Sequence, residues 1–79
     1  MEVTFVVEQA GCASCAARVR AALEPLGAVE AIEIDKDADS ATVRVSGAAS
    51  EAAVAGALAA ASHGSGHSYR VRPGSWHTA

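Results

Sequence analysis

The apolar residues of this 79-residue chain change their spacing in a definite order, and that order limits the folds open to it. Every second residue over 3–7 is apolar, which predicts a strand with one buried face. From Ser14 onwards the apolar spacing becomes helical. Pro25 cannot donate a backbone hydrogen bond and Gly27 follows it, so we expect the regular helix to end near residue 24.

The rest of the chain repeats this alternation after a hairpin. Residues 29–34 and 41–45 predict two strands joined by a polar turn at 36–39. Ser50 then caps an alanine-rich helix, and a short strand follows over residues 69–72. The order βαββαβ predicts a ferredoxin-like α+β sandwich, in which two helices cover one face of a four-stranded antiparallel sheet.

A chain of this length has room for one small core, because much of its 51% hydrophobic content is alanine. We expect one domain over residues 1–73, followed by a flexible tail or linker stub at 74–79. The predicted core consists of the larger apolar side chains at inward positions: Phe5, Val19, Leu23, Leu26, Ile32, Ile34, Val43, Val45, Val54, Leu58 and Val71.

The charge and hydropathy patterns exclude several classes of function. The net charge is −3 and the six basic residues are scattered, so we expect no nucleic-acid surface. No apolar stretch approaches the roughly 20 residues of a membrane span, and the first residues lack the pattern of a secretory signal. We therefore expect a cytoplasmic protein without membrane insertion. No catalytic combination of acid, base and nucleophile is visible, so we expect no enzyme.

Cys12 and Cys15 are the only cysteines, and they lie at the junction of the first strand and the first helix. In a reducing compartment such a pair more often binds metal or takes part in redox chemistry than stabilises a fold. A helix N-terminus favours negatively charged sulfur, and thiolates select Cu(I), Hg(II), Cd(II) and Zn(II) over hard cations. Two sulfurs suit Cu(I), whereas structural zinc takes four ligands. The pair therefore predicts a Cu(I) site.

Further residues accompany the pair. The run Cys12-Ala13-Ser14-Cys15 continues into Ala16-Ala17-Arg18-Val19 and Ala22-Leu23, and Gly27 with Val29 and then Gly66 follow at wider spacing. From Val3 to about Val71 the chain resembles the heavy-metal-associated domain family, which includes copper chaperones and amino-terminal domains of metal-pumping P-type ATPases. The resemblance implies Cu(I) held by both cysteines. It also implies transfer to a metal-transporting P-type ATPase or another CxxC domain.

Two positions depart from the family pattern. Ala10 stands where the family usually has a methionine packed under the metal loop, so we expect a less firmly anchored loop. His67 follows Gly66 where many members have Tyr, Phe or Lys, and its resemblance to members with His implies a third ligand or a shield for the ion. His63 would complete a Cys2His2 count, although its distance from Cys15 is far from zinc-finger spacing.

Several alternatives stay open. The same fold serves a zinc, cadmium or mercury site, or a regulatory metal-binding domain of a larger transport ATPase. A thiol oxidoreductase would also use a CxxC pair, although Gly11 stands where such enzymes usually have an aromatic residue. We expect a monomer, with a metal-bridged dimer as the other state. Asp35, Asp37 and Asp39 predict a solvated hairpin tip, or else a docking surface for a basic partner.

Overall fold

The computed structural model describes residues 2–47 and 50–78. Its regular elements follow the predicted order with one addition at the end: β1 (Glu2–Glu8), α1 (Ala13–Leu23), β2 (Ala28–Asp35), β3 (Ser40–Ser46), α2 (Glu51–Ser62), β4 (Arg70–Val71) and β5 (His77–Thr78). One 3-10 turn, Glu24–Leu26, continues from α1.

The strands form one antiparallel sheet in the order β2-β3-β1-β4, and β5 pairs with β1 beside β4. The central strand β1 pairs with β3 along its whole length, from Glu2 opposite Ser46 to Glu8 opposite Ser40. The edge strand β2 has a bulge between Val29 and Ala31. With two helices against this sheet, the predicted ferredoxin-like α+β fold is confirmed.

Both helices begin at the residues whose side chains suit a cap. Cys12 caps α1 by accepting a hydrogen bond from the N–H of Cys15, and Ser50 caps α2 through Ala53. Pro25 ends the α-helical hydrogen bonding of α1, as predicted, and the chain leaves through Gly27. Within residues 2–47 and 50–78, neither helix is long and apolar enough to cross a membrane.

The core lies between the helices and one face of the sheet. It comprises Val3, Phe5, Val7, Ala10, Cys15, Val19, Leu23, Ala41, Val43, Val45, Val54, Leu58 and Tyr69. Leu26, Ile32 and Val71 pack at its margin. The prediction for Ile34 is wrong, because this side chain is 38% exposed on the edge strand β2. Tyr69, absent from the predicted core, is only 2% exposed.

The end of the chain corrects the prediction of a flexible tail over 74–79. Ser75 accepts a hydrogen bond at its Oγ from the backbone N–H of Val6 at 3.1 Å, and β5 pairs with the first half of β1. Trp76 stacks on Phe5 with ring centroids 5.1 Å apart. Residues 75–78 therefore complete the edge of the sheet beyond β4, and only residue 79 of the predicted tail lies outside the described part.

Candidate metal site

The cysteine pair lies at the start of α1, directly after the loop that leaves β1. Cys12 is the N-cap, and its Sγ accepts a hydrogen bond from the N–H of Cys15 at 3.2 Å. The carbonyl of Cys12 accepts from Ala16, which closes the first helical turn. Cys12 is partly exposed, whereas Cys15 is 2% exposed on the core side of the helix. The pair thus presents one accessible and one sheltered sulfur at the N-terminal end of a helix.

The sulfur atoms of Cys12 and Cys15 are in direct contact. Their Cα atoms lie 5.1 Å apart, and the side chains are joined as a disulfide in the structure. The loop conformation therefore directs both Sγ atoms to one point without any rearrangement of the backbone. Reduction of the disulfide would leave two thiol groups at the N-terminal end of α1, where the free N–H groups of a helix start favour the thiolate form. Such a pair can bind a single soft ion, because each thiolate contributes one ligand.

Two other loops contact the segment between β1 and Cys12. Gln9 accepts a hydrogen bond at its Oε1 from the N–H of Ser68 at 2.9 Å, across 59 residues. The N–H of Gly11 donates to Oδ1 of Asp39, at the hairpin tip, at 3.1 Å. Ala10 lies between them and is fully buried. The cysteine loop, the hairpin tip and the connector before β4 therefore share one end of the domain.

Of the acidic residues at the hairpin tip, Asp39 is the one in contact with the cysteine loop. Asp35 accepts a hydrogen bond at its Oδ1 from the N–H of Ala38 and so supports the turn itself. Asp37 is exposed. The sequence did not distinguish these roles, because all three carboxylates occur at alternate positions of one polar turn.

The histidines do not gather around the cysteines. His67 is exposed, and its ring stacks on Tyr69 with centroids 5.8 Å apart. His63 is the exposed C-cap of α2. In the part of the chain that the structure describes, no three or more His, Cys, Asp or Glu side chains are grouped to hold a metal ion. A third ligand from His67 therefore stays a prediction.

The sequence analysis did not predict the contacts that Gln9, Gly11 and Asp39 make in the site region. Gln9 and Asp39 both have positive φ angles, +62° and +50°, which non-glycine residues rarely adopt. A Cβ at Gly11 would lie 2.5 Å from Cα of Asp39, so only glycine permits this approach. The glycine directly before the first cysteine was the one sequence signal for such a contact, because glycine often occurs where two backbone segments approach each other closely.

The comparison with known families agrees with this site. The model of the heavy-metal-associated domain matches residues 4–66, and the chain belongs to that family. Members of the family bind heavy-metal ions, and the matched region contains both Cys12 and Cys15. His67 and the strands β4 and β5 lie beyond it. No curated protein matches the sequence.

Proposed function

We propose that this domain binds one Cu(I) ion through Cys12 and Cys15 and exchanges it with a partner that has a similar pair. The observation that supports the proposal is the convergence of both sulfurs at the N-terminus of α1, with a Cα separation of 5.1 Å. The positive end of the helix dipole offsets the negative charge of two thiolates. The family match gives heavy-metal binding in general, and the choice of copper rests on the ligands.

The number and type of ligands favour Cu(I) over zinc. Cu(I) accepts soft sulfur ligands at low coordination number, whereas a structural zinc site takes four ligands. Within residues 2–47 and 50–78, no third His, Cys, Asp or Glu joins the two cysteines in a metal-binding group. A Zn(II), Cd(II) or Hg(II) site is the alternative in the same fold, and binding of two sulfurs from a second chain would give a metal-bridged dimer.

The transfer proceeds by ligand substitution. A thiolate of the partner adds to the bound ion and forms a three-coordinate copper that bridges the two proteins. One copper–sulfur bond to this chain then breaks and a second partner thiolate binds. The remaining copper–sulfur bond to this chain breaks last, and copper stays monovalent throughout. Because Cys12 is the more exposed sulfur, the partner approaches from its side of the loop. His67, if it binds, would stabilise the ion after the first bond breaks.

The proposed setting is the cytoplasm, since thiolates persist where the glutathione pool is reducing. The proposed partner is a metal-transporting P-type ATPase or another CxxC domain. A role as a regulatory domain of a larger transport ATPase uses the same site. We propose a binding protein and not an enzyme, since two thiolates on one ion supply no general acid or base.

The test is Cu(I) retention by the reduced, anaerobic protein against a chromogenic Cu(I) chelator. The wild type should retain one equivalent, and Cys12→Ser and Cys15→Ser should each lose it. Ala13→Ser is the matched control, because it changes an exposed position within the motif and leaves both sulfurs in place. Preferential retention of Zn(II) in a parallel titration, or failure to retain Cu(I), would refute the copper assignment.

X-ray absorption tests the ligands themselves. Two sulfur scatterers should be present in the loaded wild type, and an additional nitrogen scatterer that disappears in His67→Ala would establish the third ligand. His63→Ala is the control for a histidine on the same connector. Transfer is measured by mixing the loaded domain with a second, metal-free CxxC domain and separating the two by charge.

A thiol oxidoreductase is the second candidate, and the disulfide between Cys12 and Cys15 is the observation that favours it. Such an enzyme would catalyse reduction of insulin disulfides in the presence of a dithiol. The copper-binding proposal expects no acceleration above the rate of the dithiol alone. Catalytic turnover that is lost in Cys12→Ser would favour the oxidoreductase.

A further inference from the structure

The cysteine loop is tied to the hairpin tip by one hydrogen bond between residues 28 positions apart. The N–H of Gly11 donates to Asp39 Oδ1 at 3.1 Å, and Gly11 itself is buried. The two backbones are in close contact, since a Cβ at Gly11 would lie 2.5 Å from Asp39 Cα and 3.0 Å from its carbonyl carbon. Gly11 is the residue directly before Cys12, so this contact acts on the backbone that carries the first sulfur.

The position of Asp39 is set by the sheet. The next residue, Ser40, is buried and pairs with Glu8, the last residue of β1. This register holds Asp39 beside the point where the chain leaves β1 and enters the cysteine loop. Asp39 has φ +50°, a conformation that is unfavourable for most side chains and that Asp and Asn adopt more readily than others. Asp39 adopts this unfavourable conformation at the position where its carboxylate accepts the hydrogen bond from Gly11.

Apolar packing against the core contributes little to holding the cysteine loop in place. Ala10 is fully buried, but it contributes only a methyl group. The anchoring contacts are instead polar: Gln9 with Ser68 on one side, and Gly11 with Asp39 on the other. Of the two, the Gly11 contact is adjacent to Cys12, and it is made to an ionisable acid, which forms stronger hydrogen bonds than neutral acceptors when charged.

We propose that Asp39 is a positioning residue for the metal site: its carboxylate holds the Gly11 amide and thereby keeps Cys12 directed at Cys15. Asp39 acts through Gly11 and binds no metal. The effect on copper rests on the proposed function, whereas the effect on the loop does not. Partners that orient metal ligands from outside the coordination shell typically change metal affinity by about 10- to 100-fold when removed. We expect the lower end, about 10-fold, because Gln9 continues to hold the other side of the loop.

Three variants separate the hydrogen bond from the charge and from the backbone conformation. Asp39→Gly removes the acceptor, and glycine adopts the positive φ freely, so the turn keeps its shape. Asp39→Asn keeps an acceptor oxygen and tolerance for this φ but removes the charge. Asp37→Gly is the matched control, because it removes an exposed carboxylate from the same turn without touching the cysteine loop.

The first readout is hydrogen exchange and backbone ¹⁵N relaxation of Gly11 and Cys12 in the reduced, metal-free protein. The Gly11 amide should exchange about 10-fold faster in Asp39→Gly than in the wild type, a factor that corresponds to one charge-assisted hydrogen bond. Asp37→Gly should retain the slow exchange, and Asp39→Asn, which keeps an acceptor but loses the charge, should lie between the wild type and Asp39→Gly. An unchanged Gly11 amide in Asp39→Gly, or equal loss in Asp39→Asn, would overturn the proposal whether or not the protein binds copper.

The second readout is Cu(I) affinity by chelator competition on the same four proteins. We expect an approximately 10-fold loss in Asp39→Gly alone. A mobile Gly11 amide with unchanged Cu(I) affinity would show that the contact orders the loop without positioning the sulfurs, and would also overturn the proposal. Failure of the wild type to retain Cu(I) contradicts the proposed function instead, and the exchange measurement distinguishes the two results because it needs no metal.

Discussion

Replacing Trp76 with alanine tests whether the end of the chain belongs to the domain. Trp76 is partly buried against the core, and its ring stacks on the fully buried Phe5 at an interplanar angle of 17°. The following residues, His77 and Thr78, pair with Thr4 and Val3. Removal of the indole therefore exposes one side of Phe5 and leaves this segment attached by the pairing of β5 with β1 and by the hydrogen bond from Val6 to Ser75 Oγ.

The expected loss of stability follows from the apolar area that Trp76 buries and from its stacking on Phe5. A partly buried indole removes on the order of 100 Å² of apolar surface from water, which at about 25 cal/mol per Å² gives about 2.5 kcal/mol. Stacking on Phe5 adds about 1 kcal/mol, and the freed side-chain entropy offsets about the same amount. We expect Trp76→Ala to lower the free energy of unfolding by about 2.5 kcal/mol, which lowers the melting temperature of a domain this size by about 10–20 °C.

The assay is urea unfolding of the reduced protein followed by far-ultraviolet circular dichroism, because Trp76 is the only tryptophan and the variant has no fluorescence signal. Trp76→Phe retains a stacking ring and should lose about 1 kcal/mol or less. His77→Ala is the control for an exposed side chain of the same strand and should change stability by at most about 0.5 kcal/mol. Equal stability of Trp76→Ala and His77→Ala would refute the packing of this segment and restore the flexible tail.

Three further outcomes are expected. Gly56→Ala should stabilise the protein by about 0.5–1 kcal/mol, because a Cβ there meets nothing and alanine favours helix; Gly64→Ala, at φ +77°, should destabilise it by about 1 kcal/mol in the same urea assay. Ser50→Ala should cost about 1 kcal/mol through loss of the α2 cap, and an unchanged thermal midpoint would contradict this. The protein with the Cys12–Cys15 disulfide should retain no Cu(I) until a phosphine reductant is added, as measured by chelator competition.

Most of the fold was predictable because its signals are local. The every-second-residue spacing of β1, the capping side chains of both helices and Pro25 act within a few residues of the structure they determine. The cysteine pair is likewise a local motif, and its place at the start of α1 follows from the change of hydrophobic spacing at that point. The structures that these local patterns predict are present in the folded domain because no contact with distant residues opposes them.

The features that were missed depend on contacts between distant residues. The strand β5 has only two residues, and it forms because β4 pairs only with Val7 and Glu8 and leaves the first half of β1 without a partner on that edge. Nothing in the sequence of residues 74–79 indicates this free edge. Ile34 has the spacing of a buried strand residue, yet its strand lies at the sheet edge. The contacts of Gln9 with Ser68 and of Gly11 with Asp39 span 59 and 28 residues, so no short-range sequence pattern predicts them.

The same contacts bear on the expectation that Ala10 leaves the cysteine loop loosely held. A methionine would anchor the loop through apolar burial, which acts wherever the side chain finds room in the core. The two hydrogen bonds anchor it in defined directions, because each needs a donor and an acceptor in line. Ala10 is already fully buried, so Ala10→Met must displace neighbouring core atoms to fit. Because hydrogen bonds at Gln9 and Gly11 hold the cysteine loop, it depends less on a large apolar side chain packed into the core.

This arrangement separates the stability of the domain from its handling of metal. Trp76 and β5 lie against the first half of β1, whereas the cysteine loop leaves from its other end at Glu8. Along the extended strand, Val3 lies five residue steps, about 16 Å, from Glu8. Phe5, on which Trp76 stacks, lies three steps, about 10 Å, from Glu8. Effects of substitutions at such distances usually add without coupling, so Trp76→Ala should destabilise the fold while Asp39→Gly weakens copper retention. Coupling between the two would mean that the sheet, and not the adjoining loops, holds the cysteines in place.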